Sequence, residues 1–162
     1  QGAVVVESRL GDVFAEGQAS GVLTHMQAVM VDRVMHIADV TLADVMVPMC
    51  KAICIRRDTA REVLMRVLRK HNYSRVPVLD DSGDVVGILD VYDVLVDEPV
   101  AIPAERMTAP LKLPSGMTVT EALFAMRRER NMMAVAQKDG KAVGIVTIKD
   151  LVEEIVGELE EW

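Results

Sequence analysis

Gly87-Ile88-Leu89-Asp90-Val91-Tyr92-Asp93 returns 57 positions later as Gly144-Ile145-Val146-Thr147-Ile148-Lys149-Asp150. Each stretch runs from a glycine through an apolar strand to the polar start of a helix. Ahead of each lies a Thr-x-x-Glu box, Thr59 to Glu62 and Thr118 to Glu121, 59 positions apart. Self-similarity at a fixed period governs architecture, and here it predicts an α/β (α+β) fold of two similar units. A unit of fewer than about 60 residues buries only a marginal core. The two are therefore expected to pack across a pseudo-twofold axis, leaving clefts between them of the kind small ligands occupy.

Each unit reads strand, helix, strand, strand, helix. The first spans residues 41–98. It opens with Met46-Val47-Pro48, and a short strand follows from Ala52 to Ile55. Thr59 caps a helix that Glu62 answers from its third position. Ala60, Val63, Leu64, Val67 and Leu68 fall on its core face, with Arg61, Arg66, Arg69 and Lys70 opposite. Arg75 to Leu79 is a strand, and Pro77, lacking an N–H, calls for an edge position or a bulge there. Asp80 to Asp84 turns the chain into strand Val85–Leu89, and a helix starts near Val91. The second unit spans residues 99–162. Its Met107-Thr108-Ala109-Pro110 echoes Met46-Val47-Pro48. Thr118 and Glu121 cap its first helix, where Ala122, Leu123 and Met126 stand for Val63, Leu64 and Val67. Lys138-Asp139-Gly140 is a turn. The last helix carries Ile148, Leu151, Val152, Ile155, Val156 and Leu159 on one stripe, with the acidic run Glu153 to Glu161 as its wet face. Residues 1–40 lie outside the repeat. There Val22, Leu23, Met26, Val29, Met30 and Val34 share a helical face, behind Gly17 and Gly21. Such a helix docks on the core, on a partner or on a membrane-side element.

The chain has 162 residues, 51% of them hydrophobic but only 3% aromatic, with 11 methionines, so its core is aliphatic with Met filling gaps. A net charge of −7 argues against nucleic acid, which needs a basic footprint. A nucleotide stays admissible, because a local cation in a cleft outweighs the net sign. Cys50 and Cys54 read as small apolar strand residues. They make no disulfide framework, and His36 and His71 stand at no ligand spacing to them. A reducing compartment fits. No signal peptide opens the chain, and the uncharged stretch Gln18–Val31 is shorter than the ~20 residues of a membrane span, so these residues are expected to be soluble. The first residue is Gln, as in a fragment of a longer protein. No Ser-His or Cys-His set is visible among three scattered histidines, which points to a binding module and not an enzyme.

Gly144-Ile145-Val146-Thr147-Ile148-Lys149-Asp150, taken with Tyr73-Ser74-Arg75-Val76-Pro77-Val78, resembles the cystathionine β-synthase (CBS) domain signature. Two copies in tandem make a CBS pair, or Bateman module. A narrower resemblance rests on Thr41-Leu42-Ala43-Asp44-Val45-Met46-Val47-Pro48, Asn131-Met132-Met133-Ala134-Val135 and Asp150-Leu151-Val152-Glu153-Glu154-Ile155-Val156-Gly157-Glu158. That order is similar to the CorC/HlyC family, hemolysin-like relatives of the cyclin M magnesium transporters. The resemblance implies CBS domain 1 at residues 41–98, CBS domain 2 at 99–162, and a helical connecting segment at 1–40. It further implies a cytosolic regulatory piece of a Mg2+/Co2+ transport protein, at the cytoplasmic face of the cell membrane. Its partners would be a transmembrane domain of the same full-length chain and a second copy in a homodimer. Members commonly carry His where this chain has Asn131, which keeps a polar contact but does not titrate.

In that signature the Thr and Asp hold the ribose and phosphate of an adenine nucleotide, ATP or AMP, with Mg2+ accompanying a triphosphate. Thr147 can donate and accept. Asp150 can accept from ribose hydroxyls, and the helix start favours phosphate. Arg75 supplies a charge-assisted fork, and Ser74 a donor. Ile145, Val76 and Pro77 flank the base, beside Tyr73. Read without the family, Thr147 and Asp150 are equally a helix cap and a first-turn acid, Arg75 a surface ion-pair former, and Tyr73 plain packing. The sister position has Asp90 for Thr147, with Asp93 beside it, and Met133 and Ala134 in place of Ser74 and Arg75. Two carboxylates repel phosphate at a cost on the order of 1 kcal/mol, so one nucleotide pocket is expected. The alternatives are a dimerising scaffold without nucleotide and a CBS pair regulating a soluble enzyme.

Overall fold

The computed structural model describes residues 24–96 and 101–160. Val22, Leu23 and the glycines at 17 and 21 lie outside the described residues. Helix α1 (His25–Asp39) leads to a single turn, α2 (Leu42–Val45), and strand β1 (Val47–Pro48). The first unit continues with β2 (Ile55–Arg56), α3 (Arg61–Lys70), β3 (Arg75–Leu79), β4 (Val85–Asp90) and α4 (Val91–Val96). A 3-10 turn, Pro103–Arg106, precedes the second unit: β5 (Leu111–Pro114), α5 (Val119–Arg128), β6 (Met133–Lys138), β7 (Lys141–Thr147) and α6 (Ile148–Glu160).

The strands form two sheets, ordered β2-β3-β4 and β1-β7-β6-β5. In each, a parallel pair (β2 with β3, β5 with β6) leads into an antiparallel hairpin. Side-chain alternation sorts each hairpin between two environments. Val76, Val78 and Leu89 enter the first unit's core; Ala134, Ala136 and Val146 enter the second's. The opposite faces meet in a third apolar cluster, Val85, Ile88, Met133, Val135 and Ile145, which joins the sheets. The repeat is thus a pair of α/β units sharing a buried seam.

The short segments opening each repeat cross over. Val47 pairs with Ile145 and Pro48 with Gly144, so β1 completes the second unit's sheet. Thr108 bridges Ile88 of the first unit through two backbone bonds of 2.9 Å. Leu42 is fully buried in the second core, and Ala104 is buried in the first. The repeated glycines accommodate this exchange. A Cβ on Gly144 would stand 2.6 Å from Met46 Cγ, and one on Gly87 2.6 Å from Met107 Cγ. Each opening methionine therefore lies across the glycine of the other unit.

Local expectations met mixed outcomes. Thr118 caps α5: its hydroxyl accepts from the Glu121 N–H at 3.2 Å, while Glu121 Oε2 accepts from the Thr118 N–H at 3.1 Å. Thr59 does not cap its helix. The N-cap is Ala60, and Thr59 Oγ1 accepts from the Arg56 N–H instead. The Arg61 N–H, at the helix start, donates to Ala101 O, so the chain between the units takes over part of the cap. Boxes not expected occur at Thr24/Gln27 and Thr41/Asp44, and the Thr41 N–H and hydroxyl hold the Asp44 carboxyl below the usual carboxylate range. The expected strand at Ala52–Ile55 shrinks to Ile55–Arg56. Pro77 lies in the middle strand of its sheet, but β2 pairs only with Val78 and Leu79, leaving Pro77 unflanked on that side, and the register shifts between Val78 and Leu79. Asp139 and Gly140 both take positive φ, 52° and 75°, as a two-residue hairpin turn requires.

The apolar stripes are only partly buried. On α3, Leu64 is fully buried and Leu68 packs on the core, whereas Val63 is exposed. On α6, Leu151 is fully buried and Ile148 and Ile155 pack inward, whereas Val152 and Val156 are exposed. Helix α1 rests on α5 and α6. Its C-terminal Ile37 is buried, but Met26, Met30 and Val34 of the expected stripe face outward, at 58%, 39% and 57% exposure. Among the described residues no helix is long and apolar enough to cross a membrane.

Candidate functional site

Beside the seam the sheets leave a cleft of about 350 Å3, within the roughly 300–1,000 Å3 of small-ligand sites. The loop after β1 contributes Lys51, Ala52 and Ile53. The entry to β3 contributes Asn72, Tyr73, Arg75 and Pro77. The end of β7 and the first turn of α6 contribute Ile145, Thr147, Lys149 and Asp150. Both repeats therefore wall one cavity.

Six of the eight sequence-selected residues line it: Tyr73, Arg75, Pro77, Ile145, Thr147 and Asp150. Two do not. Val76 is fully buried in the first unit's core, because alternation along β3 sends Arg75 and Pro77 to the cleft and Val76 to the opposite face. Ser74, out of step with Arg75, is exposed off the cleft wall, and its carbonyl accepts from the Val91 N–H at 2.9 Å. Lys51, Ala52, Ile53, Asn72 and Lys149 were not singled out. Lys149 sits inside the quoted motif as a variable position. Lys51 to Ile53 arrive through the crossed arm, whose trace in the sequence is the echo of Met46-Val47-Pro48 in Met107-Thr108-Ala109-Pro110.

Thr147 and Asp150 form a reciprocal box around the start of α6. Thr147 Oγ1 accepts from the Asp150 N–H at 3.1 Å, and Asp150 Oδ2 accepts from the Thr147 N–H at 3.3 Å. The cap leaves both side chains able to bond further, since the Thr147 hydroxyl still has a proton to donate and Asp150 Oδ1 can still accept. The lining holds three cations, Lys51, Arg75 and Lys149, against the single carboxylate of Asp150. Lys149 is already 3.7 Å from Glu153 on the exposed side of the helix and adds little. Tyr73 stacks on His71 with centroids 5.4 Å apart, which steadies a partly exposed aromatic wall.

The sister cleft is smaller, about 210 Å3, and is walled by Asp90, Asp93, Thr108, Arg130, Asn131, Met132 and Met133, with Arg75 again present. Strand register corrects one correspondence: Arg75 faces Asp90 as Met133 faces Thr147. Met132 and Met133, not Met133 and Ala134, thus stand in place of Ser74 and Arg75. The reason is a one-residue difference in spacing between the repeats, which moves Ala134 into the core. Cys50 and Cys54 lie in the loop between β1 and β2, not in a strand. Lys51 and Ala52 N–H both donate to Pro48 O, turning the chain there; Cys50 is exposed, while burial pushes the half-buried Cys54 thiol up. No cluster of three metal-ligating side chains occurs among the described residues.

Two α/β units with exchanged arms and a shared cleft define a tandem, pseudo-twofold α/β module. The CBS domain profile matches residues 42–97 and 102–157, and the chain belongs to the CBS domain family, as a tandem pair of the CNNM/CorC kind. The CBS domain of a bacterial CNNM/CorC family Mg2+ transporter in complex with ATP is 30% identical, with a TM-score of 0.71 over 79% of this chain and 95% of that one. Another structure described as the CBS domain of the bacterial CNNM/CorC family Mg2+ transporter is 27% identical, with a TM-score of 0.76 over 93% and 95%. The magnesium and cobalt efflux protein CorC of Vibrio cholerae is 29% identical over 99% of this chain and 57% of its own length. An uncharacterised Mycobacterium tuberculosis protein is 29% identical over 97% and 48%. The chain thus spans about half the length of these two curated relatives.

Proposed function

We propose that this CBS pair is the regulatory nucleotide-binding part of a membrane Mg2+/Co2+ transport protein, held at the cytoplasmic face and joined to a transmembrane domain of the same full-length chain. The observation that carries the reading is the convergence of Tyr73 and Arg75 from one unit with Thr147 and Asp150 from the other on one cleft. Asp150 and Thr147 take the ribose hydroxyls, Arg75 and Lys51 the phosphates, and Tyr73, Ile145 and Pro77 the base. Ser74 and Val76 drop out as ligand side chains. The ATP complex of the similar transporter CBS domain supports the adenine nucleotide. Two phosphate-directed cations in the lining, Arg75 and Lys51, favour a triphosphate over a monophosphate, and Mg2+ would accompany it as counter-ion. ATP is therefore expected to bind at least tenfold more tightly than AMP, and Lys51→Ala to narrow that ratio, both read by calorimetric titration. Equal affinities, unaltered in Lys51→Ala, would remove the triphosphate reading.

The route outward is physical. The ligand groups Thr147 and Asp150 form the start of α6, and α1 packs on α6. A ligand that shifts α6 therefore shifts the helix connecting the pair to the rest of the chain. Coupling of this kind is typically worth ~1–3 kcal/mol. Val63, Tyr92, Leu95, Phe124, Val152 and Val156 leave apolar groups exposed on α3 to α6, and we assign that surface to a homodimer. Sedimentation equilibrium is expected to return twice the chain mass, and Phe124→Asp to shift it toward one. A monomer at all loadings would discard the dimer.

A further inference from the structure

Arg75 lines both clefts, as Met133 does, but of the two only Arg75 carries a charge. Its Cα pairs across the hairpin with Asp90, and its Nη2 lies 3.3 Å from Asp90 Oδ2. Both side chains are only about a third exposed, at 30% and 34%, so solvent screens this pair less than a surface one. Asp90 is itself held in place, because its Oδ1 accepts from the Tyr92 N–H at 2.9 Å at the start of α4. In the second repeat the same two strand positions carry Met133 and Thr147, so the pair exists on one side of the pseudo-twofold only. The difference between the two copies of the motif therefore acts on the larger cleft as well as the smaller one. Asp90 occupies the guanidinium that a phosphate in the larger cleft would use.

We propose that Asp90 is an affinity-setting residue for the larger cleft: it competes with the ligand phosphate for Arg75, and nucleotide binds by taking the guanidinium from it. The inference rests on the nucleotide reading above. A carboxylate and a phosphate are both acceptors for the same planar fork, so ligand binding has to weaken a pre-existing ion pair, and the affinity is lower than the cleft alone would give. Asp93, in the same smaller cleft, makes no ion pair with Arg75 and supplies the control for charge alone.

The test uses ATP as probe, in calorimetric titrations at fixed salt. Asp90→Asn is the informative variant because Asn also caps helices well, leaving the start of α4 intact. Asp90→Asn is expected to tighten ATP binding about threefold to tenfold, the scale of one partly buried ion pair. Asp93→Asn should change it by less than about twofold. Arg75→Ala should weaken it at least tenfold, and Asp90→Asn should have no further effect in the Arg75→Ala background. Unchanged or weaker binding in Asp90→Asn would overturn the proposal while leaving the nucleotide reading in place. So would equal tightening with and without Arg75, which would assign the effect to the field of the carboxylate and not to competition. No binding of ATP by wild type or any variant would overturn the nucleotide reading, and this proposal with it. Thermal melting of each variant keeps loss of binding separate from loss of fold.

Discussion

Asp150→Ala is expected to weaken ATP binding by about 100-fold, a loss of ~2.7 kcal/mol. The carboxylate lines the cleft at the first turn of α6 and keeps one oxygen available after bonding the Thr147 N–H. Hydrogen bonds to a charged acceptor contribute ~1.5–3 kcal/mol each, and a ribose offers two hydroxyls to this group. Part of the effect passes through the helix start, since the alanine also abandons the Thr147 N–H. Asp150→Asn separates the two contributions: it retains the acceptor geometry and the cap but not the charge, and should lose about tenfold, roughly one such charge-assisted increment. Asp93→Ala, at the matching position of the other repeat, should leave ATP affinity within about threefold, far short of the ~1.4 kcal/mol that a tenfold loss represents. Calorimetry on the three variants decides between the two clefts.

Gly144→Ala is expected to destabilise the fold by about 2 kcal/mol, within the ~1–3 kcal/mol of overpacking, and to lower the melting temperature by about 4–8 °C. The added methyl would collide with Met46, whose Cγ would lie 2.6 Å and Cβ 3.0 Å away. The side chain's far end can swing aside, but its Cβ is tied to the arm that β1 pins against β7. Gly87→Ala against Met107 should behave alike. The cause is testable by a double-mutant cycle, because Met46→Ala vacates the space. Gly144→Ala should then cost clearly less in the Met46→Ala background than in wild type. Strict additivity would mean that Met46 does not lie on Gly144, and the exchange of arms would lose its main packing contact.

The larger features of this molecule were legible because they repeat. Two copies of a strand-to-helix motif announce two units, and the alternation within Arg75-Val76-Pro77-Val78 carries the facing of each side chain, so that only Arg75 and Pro77 of that block reach the cleft. What escaped was set by tertiary contacts without a periodic trace. Thr59 fits a capping box as well as Thr118 does, yet the Ala101 carbonyl reaches the helix start first. Lys51 reads as an ordinary loop residue until the arm that β1 pairs with β7 carries it to the shared cleft. The stripe on α1 leaves core, partner and membrane-side element open as its destination; α1 rests on α5 and α6 with Ile37 buried, while Met26, Met30 and Val34 face outward. The Asp90 substitution was visible from the start, whereas its partner Arg75 appeared only once the hairpin register was known.

The central claim, that a single cleft of this CBS pair holds a nucleotide, is most directly tested by the stoichiometry of ATP binding to the wild-type chain by calorimetry, repeated on Asp150→Asn and Asp93→Asn. One ATP per chain, weakened in Asp150→Asn and retained in Asp93→Asn, is the predicted result. Two ATP per chain, none, or binding lost in Asp93→Asn but kept in Asp150→Asn would contradict it.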